Sequence, residues 1–170
     1  MSFWRHLAGK LPGLFKFIFA WLAIRFFLVP IHEGSGHAFI DAVFGGHGII
    51  EVIYADFGKI NGIHIVFPVA GYYIPDVWPA GVHLALTALA GGLVTALFFI
   101  WIDRHVEGFH EKHRYVDWSL NFWWAEQLTY SVGETLLLLG VPINMPLWLV
   151  LGYVVGAAVM VGEMFGKWNV

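Results

Sequence analysis

Two histidines and a glutamate stand close together inside the first apolar stretch of the sequence. His32 and Glu33 are followed by Gly34-Ser35-Gly36 and then by His37. Ionisable groups inside an apolar segment are costly to bury, so their presence indicates a functional site. In zinc peptidases the pattern H-E-x-x-H places two imidazoles about 40° apart around a helix, where both reach one metal ion while the glutamate activates its water. These residue types therefore predict His32 and His37 as metal ligands and Glu33 as a catalytic base.

The spacing of the two histidines is one residue longer than in that pattern. Five residues correspond to about 140° around an ideal α-helix, which is too far for both rings to bind one ion. A π-bulge absorbs one extra residue, and such bulges are often found at functional sites. We expect the bulge at Gly34-Ser35-Gly36, where it would bring the two rings back together.

The composition indicates an integral membrane protein. Of 170 residues, 59% are hydrophobic and only 12% are charged, with a mean hydropathy of +0.71. No linker or repeat divides the chain, so residues 1–170 are expected to form a single polytopic membrane domain. The sequence has no cysteine, so any metal must be bound by histidine and carboxylate side chains. A net charge of −3 without a basic stripe argues against nucleic-acid binding.

Apolar runs predict an all-α membrane protein of about four transmembrane helices. The first run extends from Phe17 to about Phe44, with a kink expected at Pro30, which cannot donate a backbone hydrogen bond. The second continues from Pro79 to Asp103. The third and fourth cover residues 119–140 and 147–165.

A short β-hairpin is expected between the first and second helices. Two runs rich in β-branched residues, Ile49–Asp56 and Gly62–Pro68, are separated by the sequence FGKIN. Such runs around a turn-forming segment are typical of paired antiparallel strands.

The distribution of lysine and arginine predicts the orientation in the membrane. Seven of the nine basic residues fall on one side of the four-helix arrangement: Arg5, Lys10, Lys16, Arg104, Lys112, Arg114 and Lys167. Arg25 lies within a span, and Lys59 lies on the other side. The positive-inside rule then predicts that both termini are cytoplasmic and that the hairpin faces outward.

A depth argument favours Glu134 over Glu126 as the carboxylate that can meet the two histidines. The first and third helices run in the same direction, and His32, His37 and Glu134 all lie ~10 to 18 Å from the same end at 1.5 Å per residue. Glu126 lies about 12 Å deeper by the same rise. Three further residues are candidates to contact the ligands or the substrate: His83, Glu126 and Tyr130.

The chain resembles the site-2 protease family of intramembrane zinc metalloproteases between Ile31 and Leu139. The segment GHAFIDAVFGG, Gly36 to Gly46, is similar to the family's segment after its second histidine. The segment LALTALAGGLVTALFF is similar to the family's AGPxxN segment, with Gly92 in place of Pro and Thr95 in place of Asn. Glu126 and Glu134 have the same separation as the family's asparagine and its ligand aspartate. H-E-x-x-x-H stands in place of H-E-x-x-H, and the Leu-Asp-Gly of the family is absent.

The resemblance implies a zinc-dependent enzyme that hydrolyses peptide bonds in transmembrane segments. Zinc would be bound by His32, His37 and Glu134, with Glu33 as general base. The resemblance also implies a cytosolic hairpin, so the orientation stays open between this and the charge argument. The alternative is a non-catalytic accessory subunit that retains the fold in a complex with partner subunits. A third interpretation is a redox site that binds iron or copper.

Overall fold

The structure is a computed structural model that describes residues 3–60, 63–105 and 113–165, with only the backbone described for residues 3–12 and 60. Its elements are four helical rods and one two-stranded antiparallel sheet. The mostly helical architecture and the hairpin after the first helix confirm those parts of the predicted fold.

The first rod changes its helical geometry at Pro30. Helix α1 covers Phe3–Pro30, a π-helical segment covers Ile31–Ala38, and α2 covers Phe39–Val43. At the end of the π segment the N–H of Phe39 donates to the carbonyl of Gly34, five residues earlier. Proline cannot supply an N–H, and the glycines favour the helix less than other residues do, so the extra residue is accommodated here. The predicted π geometry is therefore present.

The hairpin is longer than the sequence predicted. Strand β1 covers Gly48–Ile60 and strand β2 covers Ile63–Pro75, pairing from Gly48 opposite Pro75 to Ile60 opposite Ile63. Residues 57–60, which we expected in the connection, belong to β1, and β2 continues beyond the predicted end at Pro68. The connection itself falls on residues 61 and 62, outside the described residues. The strand prediction stopped short because Gly58 and Pro68 resembled strand ends, whereas the ladder passes both with register shifts.

Three further helices follow the hairpin: α3 covers Gly81–His105, α4 covers Arg114–Leu138 and α5 covers Met145–Met164. Among the described residues, three segments are long and apolar enough to cross a membrane: Gly13–Val43, Gly81–His105 and Met145–Met164. The protein is therefore a membrane protein by length and composition of its helices, but the predicted count of four spans is not confirmed. Helix α4 falls short because it carries polar residues along its length, among them Asn121, Glu126, Gln127 and Glu134.

Helix α4 packs closely against both of its antiparallel neighbours through glycines. A side chain at Gly92 of α3 would meet the backbone of Gln127, and one at Gly156 of α5 would meet the carbonyl of Phe122. Small residues allow helix backbones to approach in this way in membrane proteins. The described core consists of Ile24, Leu28, Phe99, Leu120, Phe122 and Trp123. The polar groups of α4 are thereby directed into the bundle.

A partly buried arginine attaches the hairpin to the first rod. Val69 lies at a register shift in β2, where Ile53 pairs with Ala70 and Tyr54 with Pro68. The side chain of Arg25 donates from Nη2 to the carbonyl of Val69 at 2.8 Å. A bulged residue is left out of the strand ladder, so this contact gives its carbonyl a partner. The hairpin is thus held against the helix that carries the two histidines.

Basic residues collect at one end of the bundle. Lys16 lies midway along α1 and lines a groove together with Arg114 at the start of α4, and Arg104 lies at the end of α3. Lys59 lies near the tip of the hairpin. The side chains of Arg5, Lys10, Lys112 and Lys167 lie outside the described residues. The cytoplasmic position of the termini remains a prediction.

Candidate metal centre

The π segment brings the two histidine rings together. His32, Glu33 and His37 are all buried, at 5%, 6% and 6% exposure. Nε2 of His32 and Nε2 of His37 lie 3.1 Å apart, although an α-helix would turn these positions about 140° away from each other. Their ligand atoms and one carboxylate oxygen of Glu33 all lie within 4.8 Å of one another. This triad is able to hold a metal ion.

Glu134 reaches the same point from α4. Its Oε2 lies 3.5 Å from Nε2 of His32 and 3.4 Å from Nε2 of His37. The side chain of Glu134 is only 21% exposed, and its Oε2 has no hydrogen-bond partner among the described residues. The structure therefore brings together the three side chains that the depth argument selected.

The spacing of these three atoms fits a tetrahedral ion. Ligands at about 2.0–2.1 Å from zinc occupy corners about 3.3 Å apart. The three observed separations are 3.1, 3.4 and 3.5 Å. A proton shared between imidazole and carboxylate would instead draw nitrogen and oxygen to about 2.7–2.9 Å. The triangle is thus better matched to an ion than to a shared proton.

Hydrogen bonds on the far side of each ring fix which nitrogen faces the triangle. Nδ1 of His37 lies 2.6 Å from the backbone carbonyl of Thr87, which can only accept. Nδ1 of His32 lies 2.7 Å from Oε1 of Gln127, whose amide nitrogen donates to Glu126 at 2.6 Å. Both Nδ1 atoms therefore carry a proton, and when the rings are neutral both Nε2 atoms present lone pairs. Metal-bound histidines in proteins are held in this manner.

Three acceptors that converge in a buried space repel one another unless a cation lies between them. Neither ring nitrogen has a proton left to donate when its Nδ1 is protonated and the ring is neutral. The carboxylate of Glu134 adds a full negative charge to the same point. These acceptor groups are therefore able to hold a cation between them.

Glycine is required on the α3 side of the centre. A Cβ on Gly91 would lie 2.5 Å from Nε2 of His32 and from Nε2 of His37. A Cβ on Gly36 would collide with the backbone of Gly91. Real Cβ atoms do not approach other atoms so closely, so these glycines allow α3 to pass directly beside the ligands.

Glu33 lies in a wall between two cavities. One cavity, of about 270 Å³, is also lined by Arg25, His32 and Glu126. The other, of about 210 Å³, is lined by ligands of the centre and by apolar residues such as Trp78 and Leu138. Both cavities share Glu33, Gly71, Tyr72 and Tyr130 in their linings. The base candidate is thus accessible from two sides of the centre.

The remaining predicted residues take different positions. The ring of Tyr130 lies 5.6 Å from that of His32, at the shared wall. Glu126 contacts the centre only through Gln127. His83 is placed elsewhere: its Nε2 lies 2.7 Å from Asp41, and its ring stacks on Phe44.

His83 belongs to a second polar cluster that links three elements. Asp41 of α2 is fully buried and accepts a hydrogen bond of 2.5 Å from the hydroxyl of Tyr73 in β2. Burial and the neighbouring Asp41 raise the pKa of Tyr73 to about 12, so the phenol stays protonated and donates at neutral pH. His83 approaches the same carboxylate from α3. The cluster fastens the hairpin to the helices next to the centre.

Gln127 and Thr87 were not identified from the sequence. Gln127 lies seven residues before Glu134, so it shares a helix face with that ligand. An amide at this spacing inside an apolar stretch is a signal from which Gln127 could have been predicted. The carbonyl of Thr87 carries no such signal, because every residue has one and only the packing of α3 decides which carbonyl meets His37.

The geometry of the centre is the basis for any functional assignment. A buried set of two imidazoles and one carboxylate, with a second carboxylate beside it, supports hydrolytic metal chemistry. No family model matches the chain, and neither a curated protein nor a solved structure is found to be similar to it.

Proposed function

We propose that this protein is a zinc-dependent intramembrane peptidase related to the site-2 protease family. The observation that carries the proposal is the convergence of His32, His37 and Glu134, with both Nδ1 atoms bonded to fixed acceptors. Catalytic zinc sites have three protein ligands and leave the fourth position open. This ligand set and its spacing agree with such a site.

Zinc suits these ligands better than the other metals considered. Imidazole and carboxylate in a tetrahedral arrangement are typical of catalytic zinc, whereas iron and copper redox sites prefer other geometries. When bound, zinc supplies a Lewis acid that polarises the scissile carbonyl and lowers the pKa of a water.

Glu33 is the proposed general base. Its carboxylate lies beside the two rings, in the wall that faces both cavities. From there it takes a proton from the attacking water and returns it to the leaving nitrogen. Tyr130 lines the same wall and is placed to orient the peptide. Water reaches Glu33 from the more polar cavity, and the peptide occupies the more apolar one.

The proposed substrate is a transmembrane segment. The second cavity is lined by the apolar side chains of Trp78, Leu84 and Leu138, which suit the residues of such a segment. Strand β2 passes directly beside the base, since a Cβ on Gly71 would lie 2.7 Å from Cγ of Glu33. A two-stranded sheet leaves backbone edges without partners, and an unwound substrate can pair with such an edge.

Helix α4 is proposed to cross the membrane with the other three rods. It has 25 residues, about 37 Å at 1.5 Å per residue, enough for a hydrocarbon layer of ~30 Å. Its polar side chains Asn121, Glu126 and Gln127 are buried within the bundle and do not contact lipid. These polar residues lower the mean hydropathy of α4, even though they face the inside of the bundle.

The test compares two variants that separate binding from catalysis. Full-length protein in detergent micelles is incubated with a set of apolar, transmembrane-length peptides that carry a fluorophore and a quencher. Glu33→Gln is expected to lower cleavage at least ~100-fold while zinc is retained, because general-base catalysis contributes roughly that much. His37→Ala is expected to lose both zinc and cleavage, and His83→Ala is expected to keep both.

Two results would contradict the proposal. Loss of zinc in Glu33→Gln would make Glu33 a ligand and remove the base. Zinc-loaded wild type that cleaves none of the peptides, yet copurifies with a stable membrane partner, would favour the non-catalytic accessory subunit.

A further inference from the structure

A groove of about 480 Å³ lies at the basic end of the bundle. It runs between α1 and the first turn of α4. Its lining consists of Lys16, Phe19, Ala20, Ala23, Ile24, His113, Arg114, Tyr115 and Val116. The proposed peptidase centre shares none of these residues, so the groove needs its own explanation.

The wall of the groove on α1 is an apolar stripe. Phe19 and Ala23 are four residues apart, as are Ala20 and Ile24, so these side chains form one stripe along the helix. Phe19 is 76% exposed, while Ala20 and Ile24 are buried at the base. The small side chains at 20 and 23 leave the depression that a hydrocarbon chain requires. This stripe lies within the segment that is apolar enough to cross the membrane.

The mouth of the groove is cationic. Lys16 and Arg114 are exposed at its rim, and no described carboxylate forms an ion pair with Lys16. Arg114 is oriented by its own neighbours, since Nη2 donates to the hydroxyl of Tyr115 at 3.1 Å and the guanidinium lies 5.9 Å from the ring of Trp118. The guanidinium is therefore held at the rim instead of extending freely into water.

The start of α4 adds a further positive potential at the same place. His113 is the N-cap residue, and its own side chain makes no capping hydrogen bond within the described residues. The first N–H groups of a helix and its dipole attract anions. The acid of the first turn, Asp117, is only 3% exposed and accepts from Asn121, so it faces the bundle.

The charges near the groove support an anionic occupant. At this end of the described bundle Lys16, Arg104 and Arg114 are exposed, Asp103 and Asp117 are buried, and Glu163 in the last turn of α5 is half-buried. The exposed acids Glu51, Asp56 and Asp76 lie in the hairpin or directly after it. An anion is thus attracted to the groove end. Cations near a membrane surface contribute about 1 kcal/mol each to binding anionic lipid.

We propose that this groove binds one anionic phospholipid. Its phosphate lies between Lys16, Arg114 and the first turn of α4, and one acyl chain follows Phe19 and Ala23 into the bilayer. Phosphate accepts hydrogen bonds from ammonium, guanidinium and backbone N–H groups, and the apolar stripe covers the chain. The site is independent of the proposed peptidase activity.

Lipid retention measured by native mass spectrometry tests the proposal. Full-length protein in neutral detergent is mixed with phosphatidylglycerol, phosphatidylcholine or inorganic phosphate. One phosphatidylglycerol per chain is expected to be retained, and Lys16→Gln with Arg114→Gln is expected to weaken its binding roughly 30-fold. Lys59→Gln with Arg104→Gln removes the same charge outside the groove and is expected to change binding less than about threefold.

A second variant tests the apolar wall without any change of charge. Ala23→Trp places an indole in the groove and is expected to reduce phosphatidylglycerol retention, while circular dichroism and zinc content stay the same. Equal losses in both charge variants would overturn the site, as would equal retention of phosphatidylcholine. Displacement of the lipid by inorganic phosphate alone, or unchanged retention in Ala23→Trp, would overturn the role of the acyl chain.

Discussion

The two imidazoles of the centre differ in what fixes their orientation. His37 donates to a backbone carbonyl, whereas His32 donates to the side chain of Gln127. Only the second of these partners can be removed by substitution. The chemistry of the centre can therefore be examined one residue at a time along the series Glu126, Gln127 and His32.

Glu134 and Glu126 provide a matched pair on one helix. Glu134→Gln removes the charged ligand, so zinc content measured by mass spectrometry is expected to fall strongly. Glu126→Gln preserves an acceptor for Gln127 and is expected to leave zinc content near that of wild type. If the two variants lost zinc equally, Glu134 would not be the ligand.

Gln127→Leu is expected to weaken zinc affinity by about 10- to 100-fold, because loss of a partner that orients a metal-binding histidine has effects of that order. Competition with a chelator of known affinity measures the change. Thr87→Val is the control, since the buried Thr87 hydroxyl has no hydrogen-bond partner among the described residues and the carbonyl that accepts from His37 remains. A larger loss in Thr87→Val than in Gln127→Leu would refute this arrangement.

At the scale of residues, the sequence predicted the members of the centre whose side chains are rare in membrane-spanning segments. His32, Glu33, His37 and Glu134 stood out because ionisable side chains in apolar segments are costly. The carbonyl of Thr87 and the site of Gly91 were not predictable as parts of the centre, since their roles depend on how α3 packs. His83 was misplaced because depth along a helix does not give its rotation about the axis.

At the scale of elements, the π segment converts an unsuitable spacing into a usable one. Deletion of Ser35 restores the four-residue spacing, and an α-helix then places the rings about 40° apart. Ser35 is exposed, so its loss removes no core contact. We therefore expect the deletion variant to bind zinc as wild type does, whereas insertion of one alanine after Ser35 abolishes binding. Loss of zinc in the deletion variant would show that the bulge has another role.

The close passage of α3 gives a second prediction for the elements. Gly91→Ala places a methyl group against both Nε2 atoms and is expected to abolish zinc binding. Gly34→Ala is the matched control within the π segment, because its Cβ would meet only Ile50 at an ordinary distance of 3.6 Å. Zinc analysis of both purified variants decides between a local effect at Gly91 and a general intolerance of the helices to alanine.

The helices and strands themselves were partly predictable from the sequence. The hairpin was expected from β-branched runs, but its length was not, because Gly58 and Pro68 are usually found at strand ends and here lie near register shifts. The apolar helices were recognised by composition. Helix α4 is the exception, since the sequence predicted a span at residues 119–140 and the polar residues of α4 leave that prediction unconfirmed.

At the scale of the whole molecule, the natural absence of cysteine allows a clean test of topology. Single cysteines at Lys59, Arg104, Arg114 and Val141 are labelled in intact cells with a membrane-impermeant maleimide. If the termini are cytoplasmic and α4 crosses the membrane, Lys59→Cys and Val141→Cys are labelled from outside, and the other two are protected. Labelling of Val141→Cys on the same side as Arg114→Cys would exclude α4 as a span.

The sidedness of the molecule determines what its two ends contact. Under the charge argument the basic end, with the proposed lipid groove, faces the anionic cytoplasmic leaflet, and the hairpin meets the substrate from outside. The site-2 protease resemblance implies the reverse. The labelling pattern distinguishes these two orientations.

X-ray absorption at the zinc edge of the purified wild-type protein tests the central claim most directly. Our account predicts about one zinc per chain, bound at about 2.0–2.1 Å by nitrogen and oxygen ligands that include two imidazoles. It also predicts loss of this signal in His37→Ala and its retention in Glu33→Gln. Protein without metal, or zinc with fewer than two imidazoles, would contradict the account.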